Sequence, residues 1–218
     1  MKTPIVLSLV LILFPPAQSR EDVSERLGNA AEVFRELLNA PDADVPDGLL
    51  QDADCVAVIP DVRRAALGFG GQSGRGAASC RTDSGWSAPS MLALDGGSFG
   101  FQIGVSSSDV VLLFMVDDSI EHLTGGEVTL GADASVAAGP KGRDLGANTN
   151  VSFEAEILSY SRSRGVFAGI SIEGSSMRPD DDANEVLYGR EIEAAEILRG
   201  GTPVPEMAAS FVEALRSN

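Results

Sequence analysis

The hydrophobic positions follow a helical period at both ends of the chain. Residues 22–39 place apolar side chains at helical spacing and charged side chains on the opposite face, and Pro41 then ends the pattern. Residues 205–216 show the same period, and residues 180–189 predict a shorter helix. The chain is therefore predicted to carry amphipathic helices at both ends.

The centre of the chain is typical of β-structure instead. A short apolar run over residues 55–59 ends at Pro60, and apolar and polar positions alternate from residue 151 onwards. Glycine-rich turn signals separate such segments. The predicted strands are 55–59, 65–71, 75–81, 86–94, 99–105, 110–116, 128–138, 151–162 and 166–173. This order predicts an α+β fold with a largely antiparallel sheet of many short strands between the terminal helices.

The first residues are typical of a secretory signal peptide. Lys2 precedes an apolar run over residues 5–14, which is too short to cross a bilayer, and two prolines and small residues follow it. We expect cleavage after residues 1–19 and a single domain over residues 20–218. The expected location is the periplasm or the extracellular space, with peripheral membrane association.

The composition narrows the choice of partner. The formal net charge is −16 and the isoelectric point is near 4.3, which excludes nucleic acid as the expected partner of the whole chain. The acidic residues are concentrated in the two terminal regions. An anion-binding face is therefore expected in the middle of the chain.

The two cysteines allow two interpretations. In an oxidising compartment Cys55 and Cys80 can form a disulfide. Its loop of about 25 residues would contribute about 3 kcal/mol in the chain-entropy model. The alternative is a pair of buried free thiols on neighbouring strands.

Little in the chain supports catalysis or metal binding. Ser98 lies in a Gly-x-Ser-x-Gly string that a serine hydrolase would place on a sharp strand-to-helix turn, but a strand-like segment follows it here. His122 is the single histidine and would have to be the base. One histidine and two distant cysteines make no zinc pattern, so no metal or cofactor is expected. A hydrolase at Ser98 is the third-ranked hypothesis.

A group of basic residues predicts a site for a lipid head group. Two arginines lie two positions apart on a predicted strand, and a lysine and an arginine flank Gly142. Guanidinium groups suit phosphate oxygens, and Arg63-Arg64 is a further local pair. The alternative is that these groups pair with nearby carboxylates such as Glu154 and Glu156. The candidate head-group residues are Arg162, Arg164, Lys141 and Arg143.

Several ordered strings resemble the SYLF domain, a lipid-binding family that is also linked to actin regulation in eukaryotes. The resemblance covers residues 25–216. Its strings are residues 55–60, 74–76, 79–81, 86–89, 96–104, 131–140, 160–165 and 167–169, followed by Tyr188-Gly189.

The resemblance implies a non-enzymatic domain that binds phospholipids. It also implies that the first helix contributes to membrane contact. We expect its apolar side chains Phe34, Leu37 and Leu38 to enter the interface, and packing on the sheet is the alternative for this helix. Because the chain has an export signal, actin is not expected as a partner. The leading hypothesis is an exported phospholipid-binding domain at a membrane surface. The alternative is an envelope structural or protein-interaction module whose acidic ends form the contacts.

Overall fold

The computed structural model describes residues 18–40, 45, 48–116, 118–140, 155–163, 166–169 and 172–217, and the side chains at 66–69, 98–103, 166 and 169 lie outside this description. The described helices lie at both ends of the chain, with short ones between. They are α1 (Arg20–Asn39), α2 (Leu49–Asp52), α3 (Ser119–Thr124), α4 (Asp181–Tyr188), α5 (Ala194–Glu196) and α6 (Ala209–Arg216), with a π-helical turn at Ile197–Gly201 and a 3₁₀ turn at Glu206–Ala208.

Helix α1 confirms the predicted helix over residues 22–39 and begins slightly earlier. The Ser19 hydroxyl accepts a hydrogen bond from the Asp22 amide at 3.1 Å, and the Asp22 carboxylate accepts one from the Ser19 amide at 3.0 Å. This reciprocal capping box satisfies two donors at the helix start, so the helix extends back to Arg20. Its apolar face packs against the sheet and α6.

The described strands form one curled, mixed sheet, which confirms the predicted α+β class. All described strand pairs are antiparallel except the parallel pair of β5 and β6. The strands are β1 (Cys55–Thr82), β2 (Gly85–Trp86), β3 (Ser90–Phe114), β4 (Val128–Thr129), β5 (Val136–Ala138), β6 (Ile157–Ser163), β7 (Val166–Gly169) and β8 (Ser175–Pro179).

Two of these strands are far longer than the sequence predicts. β1 has 28 residues and β3 has 25, and they pair from Cys55 with Phe114 to Ala78 with Ser90. The glycines at 70, 71 and 74 were expected to end strands, but they remain paired. A glycine lacks only a side chain, and its backbone pairs like that of any other residue. We call the paired β1 and β3 the ribbon.

The ribbon folds back on itself. A disulfide joins Cys55 to Cys80, whose Cα atoms are 4.0 Å apart although both residues belong to β1. A Cβ atom on Gly76 would lie 2.8 Å from Ile59 Cα, so the two halves of β1 cross in close contact. The chain between them reverses direction over residues 63–72, which pair with residues 96–107. We call these two segments the ribbon bend.

The core lies on both faces of the curled sheet. Along β1, Val56 and Val58 point towards α1, α4 and α6, whereas Ala57 and Ile59 point to the other face, where α3 packs. All four side chains are fully buried. The two apolar layers hold both ends of the ribbon, and the side chains of the bend that the structure describes are exposed or half-buried.

Replacing both cysteines by alanine should lower the free energy of unfolding by about 3 kcal/mol, because the unfolded chain regains the entropy of a 25-residue loop. Urea denaturation followed by circular dichroism measures this difference. The control is wild-type protein in reductant, which should unfold like the Cys55→Ala/Cys80→Ala variant. Equal midpoints for oxidised wild type and the variant would contradict the prediction.

Candidate functional site

One of the four predicted head-group cations lies in the described part of the chain. Arg162 is on β6, opposite Asp109 of β3. Lys141, Arg143 and Arg164 lie outside the described residues. The structure therefore shows the surroundings of Arg162, and the assignment of the other three stays a prediction.

Two carboxylates hold Arg162. Its Nη2 lies 2.7 Å from Asp109 Oδ2, its Nε donates to the same oxygen at 2.8 Å, and its Nη1 pairs with Glu36 of α1. The Arg162 side chain is 23% exposed, so withdrawing it from both partners would leave charges poorly compensated. Arg162 therefore ties α1 to the sheet, and its head-group role stays a prediction.

Asp109, one of the two partners of Arg162, also contacts residues at the base of the ribbon bend. Asp109 also accepts a hydrogen bond from the Asp61 amide at 3.0 Å, and Asp61 pairs with Arg63, 2.8 Å away. The Ser107 hydroxyl donates to the Asp61 carboxylate as well. The hydrogen bond from Ser107 lowers the pKa of Asp61 most, and the one from Arg63 lowers it further. We call Asp61, Arg63, Ser107, Asp109 and Arg162 the ribbon neck.

Arg63 is the cation of the neck that an external anion can reach. Its side chain is 76% exposed and that of Asp61 is 54% exposed. An ion pair in such contact with water contributes only about 0–1 kcal/mol, so a phosphate can replace the carboxylate at little cost. The next residue, Arg64, donates from Nε to the Gln72 side chain at 2.7 Å.

The sequence identified Arg63-Arg64 as a local pair but did not place it near Arg162. The signal that does so is the strand register. Arg63 pairs with Ser107, two residues before the Asp109 that lies opposite Arg162. A register between segments this far apart in the chain is not readable from local patterns.

The predicted membrane-contacting face of α1 is covered in the described conformation. Phe34 and Leu37 are each 1% exposed, and Leu38 is half-buried against the same core cluster. These side chains therefore stabilise the docking of α1 on the core. Membrane contact through them stays a prediction.

The geometry does not favour the hydrolase hypothesis. The string around Ser98 lies inside the long strand β3 and not at a strand-to-helix turn. The His122 Nε2 atom lies 3.9 Å from Asp118, at the start of its own helix. Ser98 therefore lacks the turn that a nucleophile of this class requires.

A second ionic cluster, which the sequence only partly predicts, lies around Asp180. The acidic stretch was expected to begin a helix, and the Asp180 carboxylate does accept a hydrogen bond from the Ala183 amide of α4. The same carboxylate pairs with Arg26 at 3.3 Å and Arg75 at 2.8 Å. Asp180 is 4% exposed and therefore joins α1, the ribbon and α4 inside the molecule.

No group of three or more histidine, cysteine or acidic side chains in the described ranges is arranged to hold a metal ion. No helix in these ranges is both long and apolar enough to cross a bilayer.

Comparison with known proteins agrees with the resemblance to the SYLF domain. A sequence model of the Ysc84 family, described as "Las17-binding protein actin regulator", matches residues 95–218. The SH3 domain-containing YSC84-like protein 1 of Homo sapiens is 36% identical over 195 residues, which are 86% of this chain and 57% of that protein. Protein YSC84 of Saccharomyces cerevisiae is 33% identical over 197 residues, 86% of this chain and 42% of its own length.

The chain thus spans about half of the length of the relatives that it matches. The family model covers most of β3 and the chain that follows it, including β6, α4 and α6. This chain belongs to the Ysc84 family, in agreement with its resemblance to the SYLF domain.

Proposed function

We propose that this domain binds phospholipid membranes at their surface, without catalysing a reaction. The observation that carries the proposal is the position of Arg63, an exposed guanidinium of the neck at the base of the ribbon bend. A lipid phosphate would take the place of Asp61 on Arg63. Guanidinium groups bind phosphate oxygens through two parallel hydrogen bonds, which supports this exchange.

The overall charge does not prevent such binding. The chain carries a net charge of −16, which repels an anionic bilayer at long range. Salt screens this repulsion beyond about 8 Å at physiological ionic strength. A local cation at the point of contact therefore determines whether the domain binds the bilayer. The acidic terminal regions repel the bilayer only weakly.

The proposal also includes two expectations from the sequence that concern residues outside the described ranges or the location of the protein. Lys141, Arg143 and Arg164 would add cations to the head-group site, since Arg164 follows β6 by one residue. We also propose that the chain is exported to the periplasm or the extracellular space. The disulfide between Cys55 and Cys80 supports export, because disulfides persist in oxidising compartments.

Changing Arg63 to alanine should weaken binding to anionic vesicles about fivefold, since each cation near an anionic surface contributes about 1 kcal/mol. Flotation with vesicles of phosphatidylcholine and phosphatidylglycerol measures the affinity. Arg190→Ala is the matched control, because Arg190 is also an exposed arginine, paired with Glu196 at 2.7 Å. Equal affinities of wild type and Arg63→Ala would remove the assigned role of Arg63.

The same assay tests the remaining predicted cations. Arg164→Ala, Lys141→Ala and Arg143→Ala should each weaken binding if these residues contact head groups. Arg162→Ala should instead lower the stability of the fold, because its two carboxylate partners lose their cation. Failure of the wild-type protein to float with any vesicle would overturn the proposed function.

A second candidate is binding to a protein partner. The names of the relatives favour it, since one is called LAS seventeen-binding protein 3 and the family description names Las17 binding and actin regulation. The acidic terminal regions of this chain could form the contact. A protein that stays bound after detergent has removed all lipid would favour this candidate, and its loss with the lipid would favour the first.

A further inference from the structure

We propose that the ribbon bend is the element of this domain that enters the membrane interface. The inference rests on the proposed membrane function and extends it, because it names the inserting segment. The ribbon bend would lie at the boundary between the head groups and the acyl chains of a bilayer. The inference follows from three properties of the bend: its composition, its place in the sheet and the charges at its base.

The composition of the bend is apolar over two paired segments. No charged residue occurs in residues 65–71 or 96–105. Val105, whose side chain is described, is 82% exposed and stands out as a large hydrophobic residue in water. The large apolar residues of these segments are Leu67, Phe69, Phe99, Phe101, Ile103 and Val105. A segment with apolar residues in this density binds another apolar phase where its side chains are exposed, as that of Val105 is.

Among the strands that the structure describes, β1 alone lies beside this part of β3. β3 pairs with β8 as far as Gly96 and with β6 from Asp109 onwards. Among the described strand pairs, residues 97–108 of β3 are therefore bonded to β1 alone. The bend is a two-stranded extension of the sheet beyond its packed layers.

The backbone of the bend sets a limit on the depth of insertion. Leu67 pairs with Ile103 and Phe69 with Phe99, but the register shifts between these pairs, so the inner backbone groups of Gly68 and residues 100–102 are not paired across the ribbon. The outer edges of a two-stranded ribbon also carry free amides and carbonyls, and these cannot enter the hydrocarbon core at acceptable cost. The ribbon bend can therefore reach the interface but cannot span the membrane.

The charges at the base of the bend match this depth. Arg63 and Arg64 pair with Ser107 and Ser106, so cations and hydroxyl groups lie together where the apolar segment begins. From Arg64 to Leu67 the strand advances about 10 Å. Apolar groups of interfacial elements lie about 5–10 Å into the boundary between head groups and acyl chains. Arginines at the phosphates would therefore place Leu67 and its partner at that boundary.

A tryptophan probe tests the insertion separately from binding. The native chain has one tryptophan, Trp86, which is 6% exposed and so serves as an internal reference. In Phe99→Trp, the new side chain should lose about half of its fluorescence on vesicles that contain brominated acyl chains, if it lies at the acyl boundary. Ser84→Trp, in the exposed turn between β1 and β2, is the matched control and should lose none.

A charge substitution gives the second measurement. Phe99→Asp should weaken vesicle binding at least as much as Arg63→Ala does, while circular dichroism and the disulfide remain as in the wild type. Vesicle binding without quenching of Phe99→Trp, or unchanged binding of Phe99→Asp, would overturn the insertion and leave the proposed function standing. Absence of any vesicle binding by the wild type would overturn both. Dimerisation that Phe99→Asp abolishes, without quenching, would assign the bend to a second copy of the chain and overturn the insertion.

Discussion

Asp180→Ala is expected to lower the free energy of unfolding by about 3–5 kcal/mol, because it removes one partner of a buried ion-pair cluster. Its carboxylate lies 2.8 Å from Arg75 Nη1 and 3.3 Å from Arg26 Nη1. The Arg26 side chain is 14% exposed, and burial already lowers the pKa of its guanidinium, against the opposing effect of Asp180. Without that carboxylate, Arg26 would remain buried as an uncompensated charge.

The cap of α4 adds to the expected loss. Asp180 accepts a hydrogen bond from the Ala183 amide, and removal of such a cap costs about 1 kcal/mol. Asp180→Asn keeps an oxygen at the cap and loses the charge, so we expect a smaller loss of stability than for alanine. Asp181→Ala is the matched control, because Asp181 is an exposed acid in the first turn of the same helix, where it contributes about 0.5 kcal/mol.

Urea denaturation of the three variants measures these differences. We expect the order of stability to be wild type, Asp181→Ala, Asp180→Asn and Asp180→Ala, with the largest step at the loss of the Asp180 charge. Equal unfolding midpoints for Asp181→Ala and Asp180→Ala would show that the cluster around Asp180 contributes nothing beyond an ordinary exposed acid.

The two ends of α1 are thus tied to the rest of the molecule by charge as well as by apolar packing. Arg26, near the start, pairs with Asp180, and Glu36, near the end, pairs with Arg162. Release of the face that carries Phe34 and Leu37 would require both pairs to break and both side chains to leave the core. Membrane contact through the ribbon bend requires neither, because Val105 is already exposed.

The parts of the fold that local patterns determine were predictable from the sequence. The apolar period over residues 22–39 gave α1, and the acidic stretch at Asp180 gave the start of α4. Both features depend on residues within one or two turns of each other. The physical rules for helix periodicity and capping act over this range, which is why the sequence alone was sufficient.

The ribbon was not predictable, because its causes lie far apart in the chain. Glycines normally indicate a strand end, yet the glycines of β1 permit a close crossing with residues more than ten positions away. The partners of Arg162 present the same difficulty. The sequence suggested nearby Glu154 and Glu156, whereas the structure pairs Arg162 with Glu36 and Asp109 on other elements.

Gly76→Ala is expected to destabilise the protein by about 3 kcal/mol or more, the upper end of the cost of overpacking a core. A Cβ atom at this position would lie 2.8 Å from Ile59 Cα and would meet the Val58 carbonyl oxygen at a still shorter distance. Both atoms belong to the backbone of the crossing segment, which cannot move aside as a side chain can. The two halves of β1 would have to separate where the disulfide holds them together.

Two matched glycines on the same ribbon make the expected effect specific. At Gly74 the new atom would meet the Cγ2 methyl groups of Ile59 and Val62, at 2.7 and 2.8 Å. These buried, branched side chains have few alternative rotamers, but a side chain still yields at lower cost than the backbone does. At Gly97 nothing lies within 4 Å. We therefore expect the loss of stability to fall from Gly76→Ala through Gly74→Ala to Gly97→Ala, which should be close to wild type.

Urea denaturation and titration of free thiols measure this series. In Gly76→Ala the two cysteines would be held apart during folding, so their oxidation to the disulfide should stay incomplete and a larger fraction of molecules than in Gly97→Ala should retain free thiols. If Gly76→Ala and Gly97→Ala unfold at the same urea concentration with equal thiol reactivity, the two halves of β1 do not cross as described. The ribbon bend would then lose the reversal that carries it out of the core.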